Sequence, residues 1–207
     1  CSATQPCLER AVHPLMGRPQ DIVPYQETLW EAFERTCLVD AGGRRLEEIP
    51  DFVREKAEKT DSLLIICNKK QEAEFLFRQL FGEEFLCFHL SAAMCMQHRR
   101  DVLEQMERAL TESRSGGRKV ICVSTQVIEA GVDISFGCVV RLTAGMDSVI
   151  QAAGRCNRNG ELEGLAPVYL LGCVDESLGM LREIQEAKTA TTALLTAYKN
   201  DAARFED

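Results

Sequence analysis

Apolar residues fall into short continuous runs along this chain, and most runs are followed by a stretch with apolar positions at helical spacing. Residues 62–67 form one such run, and 69–81 follow with Ala73, Leu76, Phe77 and Leu80 three or four positions apart. Residues 84–90 predict the next strand, and 97–112 a helix that lines up Val102, Leu103, Met106 and Leu110. Strands are also predicted over 118–124, 137–142 and 166–171, with helices over 147–157 and from Glu176 to about Arg204. Continuous apolar strands alternating with amphipathic helices predict an α/β sandwich, a mostly parallel central sheet covered on both faces.

The first sixty residues read differently. Prolines at 6, 14, 19 and 24 interrupt regular structure, so residues 1–25 read as a connector. A strand is expected over 34–39, turning at Ala41-Gly42-Gly43 into a helix over 45–59. Residues 176–207 read as a helical extension beyond the last strand. Trp30 and Phe33 are read as packing for the connector.

Composition narrows the function classes. A chain of 207 residues with 45% apolar and 27% charged residues is an ordinary globular protein, long enough to hold a core without staples. No apolar run approaches membrane-spanning length, and the opening residues have no signal-peptide pattern. The net charge of −8 argues against general polyanion binding, so any nucleic-acid contact is a local one. Ten cysteines include Cys67, Cys87, Cys122, Cys138 and Cys173 inside or at the end of apolar runs. With no C-x-x-C pair and three histidines, they are expected as reduced buried thiols of a cytoplasmic protein and not as zinc ligands.

Two stretches carry the candidate chemistry. On a helix advancing about 100° per residue, Gln151, Arg155 and Arg158 fall within about 60° of one another. Val149, Ala152, Ala153 and Cys156 take the opposite side, and Asp147 is a candidate N-cap. An amide beside two guanidiniums suits the grip of a phosphate, although the same spacing also fits a solvated face paired with acids such as Glu161. Upstream, an apolar strand ends in Ser124, Thr125 and Gln126, followed by Gly131 and Asp133. Ligands gather at such strand ends in parallel sheets, and an ordinary strand–loop has the same pattern. Asp133 offers a carboxylate for a ribose hydroxyl or for a neighbouring arginine.

Residues 123–134 and the run Q-A-A-G-R-C-N-R-N-G over 151–160 resemble motifs V and VI of the second RecA-like domain of superfamily 2 helicases. The opening Ser2-Ala3-Thr4 is similar to that family's motif III, which closes the first RecA-like domain and couples its sites. Residues 63–70 and 88–100 sit where its nucleic-acid-contacting motifs fall. The runs E-A-G-V-D, G-M-D-S and G-R-C-N-R-N-G most resemble the CRISPR-associated helicase–nuclease of type I systems.

This resemblance, over residues 1–6 and about 33–175, implies a RecA-like three-layer α/β sandwich. It divides the chain into the end of the first RecA-like domain with its connector (1–25), a second RecA-like domain (26–175) and the helical extension (176–207). It implies ATP in the cleft between two lobes, contacted here by Gly131, Asp133, Gln151, Arg155 and Arg158. The two arginines would face the γ-phosphate and Gln151 the attacking water. Single-stranded DNA would touch Lys69, Ser91, Ser124, Thr125 and Gln126. A CRISPR RNA-guided surveillance complex is the implied partner. The phosphate loop and magnesium motif, which the family keeps on its first domain, do not occur in this sequence, so independent activity is not expected. Two alternatives stay open: a RecA-like module that binds a partner or DNA without hydrolysis, and the lobe of a repair or restriction translocase.

Overall fold

The structure is a computed structural model that describes residues 34–129, 132–179 and 181–200. Six strands form a single sheet: β1 (Thr36–Arg44), β2 (Ser62–Cys67), β3 (Leu86–Leu90), β4 (Val120–Thr125), β5 (Cys138–Leu142) and β6 (Ala166–Cys173). Their order is β1-β6-β5-β2-β4-β3, and every pairing is parallel. The helices are α1 (Ile49–Ala57), α2 (Lys70–Leu80), α3 (Met96–Arg114), α4 (Met146–Ala153) and α5 (Arg182–Asn200).

β2 explains the layering. All six of its residues are buried, and its side chains alternate between two cores. Leu63, Ile65 and Cys67 pack with Ile49, Val53 and Leu76 beneath α1 and α2. Leu64 and Ile66 pack with Met106, Leu110 and Ala152 beneath α3 and α4. A strand shielded on both faces has no use for a polar alternate position, which is why its sequence reads as an unbroken apolar run.

Three of the boundaries that differ from the sequence expectation concern β1, the segment leading into α1 and the last helix. β1 does not turn at Ala41-Gly42-Gly43; it continues to Arg44 through a register shift between Asp40 and Gly43. Gly42 takes a φ of +71° there, and a Cβ on Gly43 would lie 2.8 Å from Val174 Cγ1. Two glycines thus permit the bulge that keeps β1 paired with β6. The helix expected over 45–59 divides into a 3-10 turn, Leu46–Glu48, and α1, because Pro50 in the first turn of α1 has no N–H to continue an earlier helix. The last helix begins at Arg182 rather than Glu176.

Cys67, Cys122, Cys138 and Cys173 are buried, as expected, with Cys156 beside them. Cys87 is half-buried with its thiol 3.0 Å from the Leu80 carbonyl oxygen. Burial pushes the thiols of Cys138, Cys156 and Cys173 up to about 12. Cys95, just ahead of α3, is exposed. Because the thiolate is the reactive form, site-resolved alkylation of the folded chain at neutral pH should label Cys95 and leave Cys138 and Cys156 intact until denaturant is added. Equal labelling of all three in the folded chain would contradict this packing.

Candidate functional site

The candidate chemistry divides between two places. β2, β4 and β3 are neighbours, with Cys67 opposite Thr125 and Leu90 opposite Ser124. Their parallel direction delivers Lys69, Thr125 with Gln126, and Ser91 to the same carboxyl edge. Lys69 sits at the head of α2, its ammonium 3.1 Å from the buried Glu72 carboxylate. Burial and the charge of Glu176 both raise the Glu72 pKa, and Lys69 opposes them. Ser91 is buried, its hydroxyl accepting the Ala93 N–H at 3.3 Å. Gln126 opens a 3-10 turn, Gln126–Ile128, at the rim. Ser124 does not belong to this surface. Its side chain is wholly buried and its hydroxyl lies 3.3 Å from the Leu90 and 2.9 Å from the Thr125 carbonyl oxygens.

The arginines lie elsewhere and are not on one helical face. α4 stops at Ala153, with Gly154 as its cap, so the helix expected over 147–157 is one turn too long. Beyond Gly154 the backbone is captured by the segment entering β5. Phe136 N–H donates to the Arg155 carbonyl, Asn157 N–H donates back to Phe136, and Asn157 takes a φ of +44°. Asparagine tolerates this left-handed conformation better than most residues. Val149, Ala152 and Cys156 are buried, as the apolar side of the stretch predicts. The amino cap of α4 is Gly145 and not Asp147, which sits in the first turn.

This geometry separates the two guanidiniums. Arg155 is buried and donates to the Val132 carbonyl and, at 2.7 Å, to the Glu129 carbonyl. Burial lowers its pKa, and the neighbouring charge of Arg158 lowers it further. Arg155 therefore ties down the strand-exit loop instead of facing outward. Arg158 is the exposed member, with 41% of its side chain accessible. Its Nε lies 2.6 Å from an oxygen of Asp133, its Nη1 reaches the Gly154 carbonyl, and its backbone N–H donates to Ser135 Oγ. Arg35, just before β1, donates to the Arg158 carbonyl. Gln151 is partly exposed on the last turn of α4.

The sequence reading passed over one residue. Arg141, inside β5, has no accessible surface. Its Nε lies 2.9 Å from a Glu129 oxygen, and its Nη1 reaches Asn68 Oδ1 at 2.8 Å and the Leu142 carbonyl at 2.9 Å. A lone arginine in the run Cys-Val-Val-Arg-Leu was the available signal, since a buried charge needs a partner. Ser2, Ala3, Thr4 and Gly131 lie outside the described residues, as do Trp30 and Phe33.

A family model described as "CRISPR-associated nuclease/helicase Cas3, C-terminal" matches residues 59–161. CRISPR-associated nuclease/helicase Cas3 of Haloferax volcanii is 49% identical over 59 residues, which is 27% of this chain and 6% of that protein. The Cas3 protein of Streptococcus thermophilus is 28% identical over 140 residues, 63% of this chain and 15% of that protein. Among solved structures, T. fusca Cas3-AMPPNP superposes with a TM-score of 0.62 at 16% identity, over 79% of this chain and 21% of that one, a likeness of fold. The chain thus spans a minor part of the length of these relatives. The match over residues 59–161 and the all-parallel sheet together support a superfamily 2 helicase C-terminal domain like that of Cas3.

Proposed function

We propose that this domain is the C-terminal lobe of an ATP-dependent, single-stranded-DNA-stimulated helicase or translocase acting in CRISPR antiviral defence. In this reading the chain divides at residues 25 and 175, and the domain works with a first RecA-like domain of the same protein in the cytoplasm, recruited by an RNA-guided surveillance complex. The observation that carries the reading is Arg158, an exposed guanidinium whose direction is fixed by Asp133 while its backbone is held by Ser135 and Arg35.

ATP is the substrate between the lobes. Arg158 meets the γ-phosphate as its bond to the leaving group breaks, exchanging Asp133 for phosphate oxygens. Arg155 holds the Glu129 and Val132 carbonyls so that Asp133 and Arg158 keep their separation, and Gln151 lies along the approach of water. An arginine acting in this way is worth about 10³–10⁵ in rate, or about 4–7 kcal/mol of barrier. Magnesium is assigned in this reading to the first domain, where the family keeps its magnesium motif, and this lobe takes no step through it. DNA lies along the opposite edge, over Lys69, Ser91, Thr125 and Gln126. Direct contact by the Ser124 side chain is no part of this reading, because Ser124 has no accessible surface, whereas Ser91 and Thr125 keep 4% and 8% of theirs.

Closing the two lobes on ATP and reopening them after hydrolysis moves the strand. The isolated chain is inactive in this reading, since phosphate binding rests on the other lobe.

The test is ATP hydrolysis by the complete protein, with and without single-stranded DNA. Arg158→Ala should lower DNA-stimulated turnover at least about 100-fold, set below the arginine-finger range, without changing stability beyond the about 0.5 kcal/mol typical of surface changes. Turnover indifferent to Arg158 would remove the arginine from the reaction. No hydrolysis by a folded parent would favour the non-hydrolysing module. Arg155→Ala should behave differently, because it deletes two charge-assisted hydrogen bonds worth about 1.5–3 kcal/mol each. At about 2–4 °C per kcal/mol, its melting temperature should fall by several degrees, as calorimetry would show. An unchanged melting temperature would mean that the two carbonyls are equally well served by water.

A further inference from the structure

Arg141 bridges the two halves of the candidate site. Its Nε faces Glu129, in the loop that Arg155 also holds, and Glu129 accepts a hydrogen bond from Ser148 on α4. The other end of the same guanidinium grips the exit of β2. Nη1 bonds Asn68 Oδ1 at 2.8 Å and lies 3.4 Å from the Ile66 carbonyl oxygen, one residue or a few before Lys69. Asn68 in turn donates to the Thr143 carbonyl at 3.0 Å and to Glu176 at 2.8 Å, and Glu176 pairs with Lys188 of α5.

Stability alone gives a poor account of this arrangement. Replacing a buried ion pair by apolar residues of similar volume is often neutral or stabilising. Here the Nη2 of Arg141 is also buried without a hydrogen-bond partner among the described residues, a further penalty for a charged donor. The charges that face it are Glu129 and Glu176, with the Cys67 thiol close by. Burial lowers the Arg141 pKa and raises that of Glu129. What the guanidinium supplies, and a lysine cannot, is a rigid plane that pairs with Glu129 through Nε and hydrogen-bonds Asn68 through Nη1.

We propose that Arg141 is a positioning residue that links the DNA-facing exit of β2 to the phosphate-facing segment at Asp133, so that strand engagement at Lys69 reorients the Asp133–Arg158 pair. The link rests on the functional reading above. A shift of Asn68 pulls one end of the guanidinium plane; Glu129 follows at the other end, and Arg155, bonded to the carbonyls of both Glu129 and Val132, passes the shift on towards Asp133.

The experiment uses the complete protein, oligodeoxythymidylate as the strand, and the variants Arg141→Lys and Asn68→Ala. Lysine keeps the charge but reaches only one side, and alanine at 68 leaves the Arg141–Glu129 pair in place, so a folded variant is available even if one of the two melts early. In a folded variant, the ratio of DNA-stimulated to DNA-free turnover should fall by a factor within the about 5–150-fold span of coupling energies. The KM for ATP in DNA-free hydrolysis and the Kd for the strand should stay at parent values. Amide exchange at Val132 and Asp133, slowed by the strand in the parent, should become insensitive to it. A variant that melts like the parent and keeps the parent ratio overturns the link. So does one that loses DNA-free turnover in the same proportion as stimulated turnover, because that is a general structural loss. If the parent hydrolyses no ATP, the functional reading fails, and amide exchange then decides the link separately: strand-induced protection at Val132 that persists in both variants overturns it.

Discussion

β2 is buried over its whole length, and this single constraint organises the rest of the molecule. With apolar layers on both faces, the interior offers no place for solvated polar chemistry, so functional side chains are driven to the ends of the strands. Parallel pairing sends several of those ends to one edge. That is how Lys69, Ser91 and Gln126, far apart in the chain, become neighbours there. The charge buried inside β5, on Arg141, is tolerated because Glu129, Asn68 and the Leu142 carbonyl surround it.

A chain with a net charge of −8 presents positive charge to a polyanion only in restricted places, and the structure shows how tightly these are managed. Lys69 lies against Glu72, Arg158 against Asp133, and Arg155 against two carbonyl dipoles. Each cation is thereby held in a set direction. An exposed pair such as Arg158 with Asp133 is worth little to stability, which leaves its guanidinium free to exchange one oxygen ligand for another.

The central strands were legible because burial on both faces leaves mostly apolar residues to read; β2 spans the apolar run Leu63–Cys67 and the buried Ser62 before it. Legibility failed where backbone contacts outweighed periodicity. Helical spacing extends past Gly154, yet Phe136 captures the chain there, and the supposed common face of Gln151, Arg155 and Arg158 dissolves into one buried tie and one exposed cation. Periodicity records which side a residue favours; it does not record a hydrogen bond to a segment twenty residues away. Pro50 and Gly42 were visible as single letters, but their effect depended on where α1 and β6 lie. Arg141 escaped notice for the opposite reason: it sits in a regular strand, and only Asn68 and Glu129, which lie beyond the ends of β2 and β4, explain it.

The strand order also bears on how the protein is made. Among the described residues β1 stands at the sheet edge with β6 as its only partner, Thr36 pairing to Ala166 across 130 residues of chain. At ribosomal speeds of about 5–20 residues per second, β1 waits about 6–26 s for that partner to be synthesised. During this interval a half-apolar strand with open hydrogen-bonding groups is exposed to other nascent chains. The bulge at Asp40–Gly43 interrupts its regular edge, so a feature that keeps register in the finished sheet also makes the waiting strand a poorer template for misassembly.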